Sequence, residues 1–270
     1  MQSVKEVIKA RQSVRTFDGK GVSEQDRQKL ESYVQSLRNP FGVGVTFKFL
    51  NAKEHNLTSP VIVGADEYVG AKVTKGAQCE IAFGYSFECF CLYAKSLGLG
   101  TVILAGTLSR KAFERAMDLK EGEIMPAATP VGYPAEKKSM RERMMRGAIK
   151  ANEREPFDKL FYENSFKQGL SYEKAGAFAE ALEMVRWAPS AVNKQPWRAV
   201  VCEGRVHFFE KRSKGLENEL GDIQKVDMGI ALAHFELTMK ENGADGEFFA
   251  DNPDCDAEVG TEYIISYRLK

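Results

Sequence analysis

The sequence predicts an α+β protein built from two similar halves that pack against each other as the subunits of a dimer do. Three observations carry this. Helical and strand-like apolar spacings alternate along all 270 residues, the pattern restarts after a charged stretch at 135–155, and the second half repeats part of the first at a fixed offset. The length suits two domains of roughly 150 residues each.

Apolar spacing at Val4, Val7 and Ile8 predicts a short first helix. Leu30, Tyr33, Val34 and Leu37 predict a second, opened by Ser23 with Asp26 as its capping-box partner. Alternation predicts a strand over 45–50, and the β-branched run at 61–63 predicts another after Pro60. A long helix is expected from 78 to 97, carrying Ile81, Tyr85, Phe90, Leu92 and Tyr93 and stopped by Gly98. A tight apolar turn over 102–106, a helix from Ser109 and a buried strand over 127–133 ended by Pro134 follow.

Lys137, Lys138, Arg141, Arg143, Arg146 and Arg154 beside Glu136, Glu142 and Glu153 make 135–155 read as a solvated connector. It divides the chain into halves at 1–150 and 151–270. In the second half a helix is predicted over 174–187, strands over 197–202 and 206–209, a helix over 226–242 and a final strand near 263–267.

An offset of 145 lays Gly84 on Gly229, Phe90 on Phe235, Leu92 on Leu237, Lys95 on Lys240 and Gly98 on Gly243. It also lays Val61 on Val206, inside the second predicted strand of each half. Amphipathic helices share composition for ordinary reasons. Here helix, glycine stop and flanking strands recur in order, which favours a duplication.

Composition excludes several classes. Lys+Arg and Asp+Glu are both 38, so the net charge is zero and gives no footprint for nucleic acid or anionic lipid. No apolar run reaches the roughly 18 to 20 residues of a membrane span, and Lys5, Glu6, Lys9 and Arg11 replace a secretory apolar core, so a cytoplasmic protein is expected. Cys79, Cys89, Cys91, Cys202 and Cys255 are odd in number and lack zinc-type spacing. His55, His207 and His234 are too scattered for a metal set.

Three stretches ask for more than a structural reading. The first runs from Arg11 to Phe17, where Arg11, Ser13 and Arg15 offer donors to a phosphate or an anionic ring edge. Cations also suit a helix C-terminus for dipole reasons alone. The second runs from Trp187 to Trp197, where Pro189 and Pro196 fix the backbone and Ser190, Asn193 and Gln195 present neutral polar groups suited to a planar polar ring. The third is 129–134 with the cations after it, which suit either a phosphate or a solvated face.

In this order the stretches resemble the nitroreductase family of flavin mononucleotide (FMN) oxidoreductases. Arg11, Ser13, Arg15 and Phe17 match the family's Arg-x-Ser-x-Arg-x-Phe opening. Ala188, Pro189, Ser190, Asn193, Gln195, Pro196 and Trp197 match its Ala-Pro-Ser-x-x-Asn-x-Gln-Pro-Trp loop, and Gly132, Tyr133 and Pro134 its Gly-Tyr-Pro close. An ordinary member carries all three in one subunit and forms a dimer with two interfacial flavins. Here the first half has the opening and the close, and the second has the loop. The resemblance therefore implies a fused variant in which one chain mimics the dimer, keeps a single FMN site between its halves and needs no second chain.

For the site, the resemblance implies Arg11 and Ser13 at the phosphate or ribityl end and Arg15 at the N1/O2 edge of the ring. It implies Lys138 and Arg141 closing on the phosphate, and Pro189, Ser190, Ala191 and Asn193 approaching from the other half. Ala105-Gly106 occupies the place from which a backbone N–H faces flavin N5. The implied activity is ping-pong hydride transfer from NADH or NADPH through the flavin to a small nitroaromatic or quinone, with no catalytic acid or base to nominate. No Gly-x-Gly-x-x-Gly fingerprint follows a strand, which fits transient nicotinamide binding. A non-catalytic flavin carrier or sensor and a dehalogenating flavoprotein are the alternatives.

Overall fold

The computed structural model describes residues 2–215, 217–218, 221–251 and 253–270. The first lobe contains α1 (Val4–Ala10), α2 (Glu24–Ser36), β1 (Val45–Asn51), α3 (Ala52–His55), β2 (Glu67–Thr74), α4 (Cys79–Ser96), β3 (Gly100–Thr101), α5 (Arg110–Ala116), β4 (Glu123–Ile124) and β5 (Ala128–Gly132). A linking segment carries α6 (Met140–Ala148), α7 (Phe157–Leu160) and β6 (Phe161–Glu163). The second lobe holds α8 (Ala179–Trp187), β7 (Trp197–Cys202), β8 (Arg205–Lys211), β9 (Glu217–Asn218), β10 (Gly221–Asp222), α9 (Ile223–Glu241), β11 (Gly246–Phe249) and β12 (Thr261–Leu269).

The duplication is visible in the topology. The first sheet runs β1-β2-β5-β3 with β4 on β2, and the second runs β11-β12-β8-β7-β6. Each lobe thus has two strands, a long helix and two more strands, all antiparallel, with the last strand inserted beside the second. Among the described strands β6 alone pairs in parallel, with β7, so the linking segment ends as an edge strand of the second sheet. The two lobes are tied by covalent chain as well as by packing.

The core sits where α4 crosses α9. Both helices are buried on nearly every side, mostly through apolar residues, with polar groups such as Glu88, His234 and Glu236 enclosed between them. A Cβ on Gly84 would collide with the backbone carbonyl of Val226, and one on Gly229 with that of Ile81. Adding 145 to Gly84 and Ile81 gives Gly229 and Val226, so the two contacts exchange partners under the sequence offset. That reciprocity is the mark of a two-fold relation. Across the same interface the Tyr85 hydroxyl donates to Glu236, and His234 Nε2 lies 2.9 Å from Glu88 Oε1.

Four expectations need correction. Residues 61–63 form no strand, Val63 making only a bridge to Thr16, so the Val61–Val206 match joins a loop to β8. The true second strand is β2, whose residues Tyr68 to Ala71 are buried in succession and so hide the alternation. The charged connector is not simply solvated, because Ser139 caps α6 and the Glu142 side chain is buried. Ser23 accepts from Asp26 N as expected, but the Asp26 carboxylate bonds Ser23 Oγ and the Tyr133 hydroxyl instead of completing a box. The second-half helix begins at Ala179 after a 3₁₀ turn at Gly176–Phe178.

The crossing predicts the consequence of adding one methyl. Gly84→Ala should cost at least about 3 kcal/mol, since backbone cannot yield as a side chain does. Gly147→Ala, in open space within α6, should be neutral or stabilise by up to about 1 kcal/mol. Urea unfolding of both variants checks the contrast.

Glu210 gives a pH-dependent prediction. It is fully buried on β8 opposite Trp197, and neither its carboxyl oxygens nor Trp197 Nε1 has a partner among the described residues. Burial first, then the charge of Asp222, pushes its carboxyl up to about 7. The folded state therefore keeps a proton that the unfolded chain has released, and stability falls as pH rises from the ordinary Glu value to about 7. Glu210→Gln should leave stability unchanged near pH 4 and raise it by about 3 kcal/mol above pH 8. Urea midpoints at the two pH values measure this.

Candidate functional site

Residues 11–17 leave α1 in an extended conformation, with Arg11 at φ −69° and ψ 131°. Val14 N donates to Thr101 O at 2.9 Å and Phe17 N to Val63 O at 2.8 Å, which holds the segment against the first lobe. An extended chain alternates its side chains. Val14 is buried and packs on Gly100, while Arg11, Ser13 and Arg15 line a common cavity. The Arg-x-Ser-x-Arg spacing is thus a strand-like device for presenting three donors on one side.

The facing lip follows α8. Its backbone is strained: Val192, Asn193 and Gln195 have φ of 44°, 57° and 49°. The β-branched Val192 is a marked outlier there. Internal bonds hold this shape. Ser190 Oγ accepts from Gln195 N at 2.8 Å, Gln195 Oε1 accepts from Glu155 N at 3.0 Å, and Asn193 Nδ2 donates to Lys150 O and Glu153 O at 3.0 and 3.1 Å. The neutral polar groups expected to face a ring therefore largely clasp the linking segment, and Ala191 N donates to the buried carboxyl of Asp227.

Between the two walls lie two adjoining compartments. One, of about 240 Å³, is mostly apolar and includes Arg15, Ala105, Gly106, Ala191, Val192 and Asp227 in its lining. The other, of about 420 Å³, adds Lys9, Arg146, Arg154, Trp187 and Asn193. Arg11, Ser13, Pro189 and Ser190 line both. Nine of the eleven sequence-predicted positions, Arg11, Ser13, Arg15, Ala105, Gly106, Pro189, Ser190, Ala191 and Asn193, thus meet at one crevice.

Lys138 and Arg141 do not reach it. Lys138 Nζ donates to Gln12 Oε1 at 2.8 Å beside an exposed groove, and Arg141 donates to the carbonyl of Pro60. The cations that do line the crevice from this region are Arg146, one turn further along α6, and Arg154. Both sat in what read as a solvated charge run, and only the folding back of α6 distinguishes them.

The electrostatics favour an anionic ligand. Arg15 is 8% exposed, and its Nε and Nη1 have no partner among the described residues. Burial lowers its pKa first, and Arg146 lowers it further against the opposing pull of Glu142. Arg154, stacked over Trp187, is pushed down to about 10 by burial and by Arg11, Arg186 and Arg146. Cations gathered at this density with unmade bonds are poised for a doubly charged ligand. Glu88 anchors Arg11 at 3.4 Å, while His234 Nδ1–H donates to Met184 O at 2.9 Å and keeps Nε2 facing the same carboxyl.

The fold and a cationic crevice shared by two lobes are those of the nitroreductase class. The family model described as "Putative TM nitroreductase" matches residues 3–239, and the chain belongs to that family. A crystal structure of a "putative nitroreductase" from Thermotoga maritima is similar over 99% of this chain and 93% of its own, at 20% identity and a TM-score of 0.65. An FMN-dependent nitroreductase from Clostridium difficile is 15% identical and covers 49% of this chain and 88% of its own, with a TM-score of 0.42. An iodotyrosine deiodinase bound to FMN and 3-iodo-L-tyrosine is 14% identical and covers 50% and 92%, with a TM-score of 0.42. No curated protein matches the sequence.

Among the described residues all five cysteines are free, no group of His, Cys, Asp and Glu is disposed to hold a metal, and no helix is long and apolar enough to cross a membrane.

Glu142 gives this site its test. Its buried Oε2 accepts from Arg15 N at 3.1 Å and from Thr16 Oγ1 at 2.9 Å, fastening α6 over the first-lobe wall. Glu142→Ala strands two donors and should cost about 2 kcal/mol or more. Limited proteolysis should show faster cleavage within residues 140–150.

Proposed function

We propose that the chain is an FMN-dependent oxidoreductase that takes reducing equivalents from NADH or NADPH and delivers them to a small nitroaromatic or quinone acceptor. The observation that carries this reading is the Arg15 guanidinium, buried at the seam with two N–H groups unpaired. Such a group calls for an anionic partner, and its companions fit FMN.

Lys9, Arg11, Arg146 and Arg154 in the larger compartment hold the phosphate, with Ser13 at the polar chain. Arg15 in the smaller compartment favours negative charge on the ring edge, because a fixed cation in a partly dry site opposes no solvent reorganisation. Val102, Leu104 and Ile230 make the apolar walls that exclude water, and Ala105 and Gly106 line the same space. The rigid lip of Pro189, Ser190 and Ala191 closes the opposite face. FMN, when bound, would supply the redox chemistry, a hydride relay between nicotinamide coenzyme and acceptor, while these residues would bind and orient it. Both walls belong to one chain, so one flavin per chain is expected, with no second copy required.

Flavin titration tests the placement. Arg15→Ala should weaken FMN binding at least tenfold, as expected when a charge-assisted bond of about 1.5–3 kcal/mol is lost. Arg268→Ala, which removes an exposed cation paired with Glu247, should change it less than twofold. Equal dissociation constants for the two variants sink the assignment of Arg15. Anaerobic NADH or NADPH should bleach the yellow protein, and colour that persists would mark a carrier or sensor.

A further inference from the structure

The crevice contains one titratable group for which the proposed reaction, as set out so far, has no use. Asp227, in the first turns of α9, is 3% exposed and lines the smaller compartment together with Arg15 and Ala191. Its two carboxyl oxygens lie 3.1 and 3.0 Å from a single donor, the Ala191 N–H. One oxygen is enough to accept that bond. The other is left to carry a proton.

We propose that Asp227 is the acid of this site, giving a proton to the oxygen or nitrogen of the acceptor as that molecule is reduced. The assignment rests on the oxidoreductase reading above. With a quinone acceptor the balance is simple: a hydride equivalent originating in NADH or NADPH and one proton from Asp227 convert the quinone to a hydroquinone. The O–H bond of the carboxylic acid breaks, an O–H bond of the product forms, and the resulting carboxylate regains its proton from water before the next turnover.

The surroundings favour a stored proton. Glu210 on β8 and Asp222 in the turn before α9 are the charged groups acting on Asp227 from its own lobe, and both are acidic. The cations of the compartment, Arg11 and Arg15, belong to the first-lobe wall. Burial, ahead of the repulsion by Asp222 and Glu210, raises the Asp227 pKa well above the ordinary aspartate value, against the opposing bond from Ala191. A carboxyl that is uncharged when substrate arrives can donate where a carboxylate cannot. The offset of 145 lays Asp227 on Ala82, so the first half holds no counterpart at that position.

Asp227→Asn separates proton donation from support of the lip, because the amide oxygen still accepts from Ala191 N–H while nothing is left to donate a proton. Infrared spectra of the cofactor-free protein should show a deuteration-sensitive carboxylic acid band that disappears in Asp227→Asn. A second band, lost in Glu210→Gln, identifies its neighbour. In rapid-mixing experiments reoxidation by 1,4-benzoquinone should slow about 100-fold in Asp227→Asn, far more than bleaching by NADH slows in the same variant. In the wild type, which requires no variant, reoxidation should slow as pH rises while bleaching by NADH does not. An unchanged infrared spectrum, or reoxidation of Asp227→Asn at the wild-type rate, overturns the assignment of Asp227 alone. Failure of the wild type to take up FMN overturns the reading beneath it as well.

Discussion

The near contact of α4 and α9 through Gly84 and Gly229 is the constraint on which the rest of this structure depends. Two helices brought so close that neither tolerates a β-carbon leave almost no freedom in the angle between lobes. That angle sets the distance between the Arg15 wall and the Ala191 lip, which hang from opposite lobes. The polar bonds across the interface, Tyr85 with Glu236 and Glu88 with His234, then fix the rotation of each helix. Interactions that would be costly unpaired are here satisfied across the seam, so they specify register even where their net contribution to stability is small.

On this frame the site is assembled from groups that do not stabilise the fold. Arg15 is buried with unmade bonds, the half-buried Arg154 leaves its Nε unpaired among the described residues, Val192 holds a backbone conformation that valine avoids, and Asp227 is a carboxyl placed among carboxyls. Each raises the energy of the empty protein. Their convergence on one crevice is hard to reconcile with a passive scaffold, since a structural protein would relax them at small cost. The linking segment matters for the same reason: through Glu142 it secures the first-lobe wall, and through its bonds to Asn193 and Gln195 it secures the second.

Much of this was legible in the sequence, for identifiable reasons. The long helices announced themselves by apolar spacing and glycine stops, and Gly84 and Gly229 stood out because the offset superposed them. Arg11, Ser13 and Arg15 were readable because clustered donors match the family's opening, although that the chain is extended there, which sets all three on one side, came only from the structure. β2 escaped because burial on both faces removes alternation and Gly70 and Ala71 resemble a turn, yet Gly70 lies there because Met117 occupies the space of its side chain. Arg146 and Arg154 escaped because membership of a site was decided by how α6 folds back, which no local pattern encodes. Asp227 escaped because it stands second in the helix expected over 226–242, where an aspartate ordinarily serves the helix dipole, whereas α9 begins at Ile223. The lip polar groups were found, and their bonds to the linking segment were not, because the linker itself read as free in solvent.

The asymmetry of the molecule shows where the two-fold relation ceases to hold. The segment before β1 corresponds in topology to the lip before β7, and there Phe41 stacks on Phe248 at 6.2 Å and meets Tyr85 edge-on at 6.0 Å. Phe248, on β11, in turn packs against Phe235 and Tyr267. Rings thus occupy part of the counterpart of the open crevice, beside a cavity of about 350 Å³ lined by Arg38, Gly44 and Ser86. Once a single chain supplies both walls, the two sites no longer have to be identical. The ring-packed side then supplies the rigidity against which the open side can keep unpaired cations, a strained lip and a neutral acid.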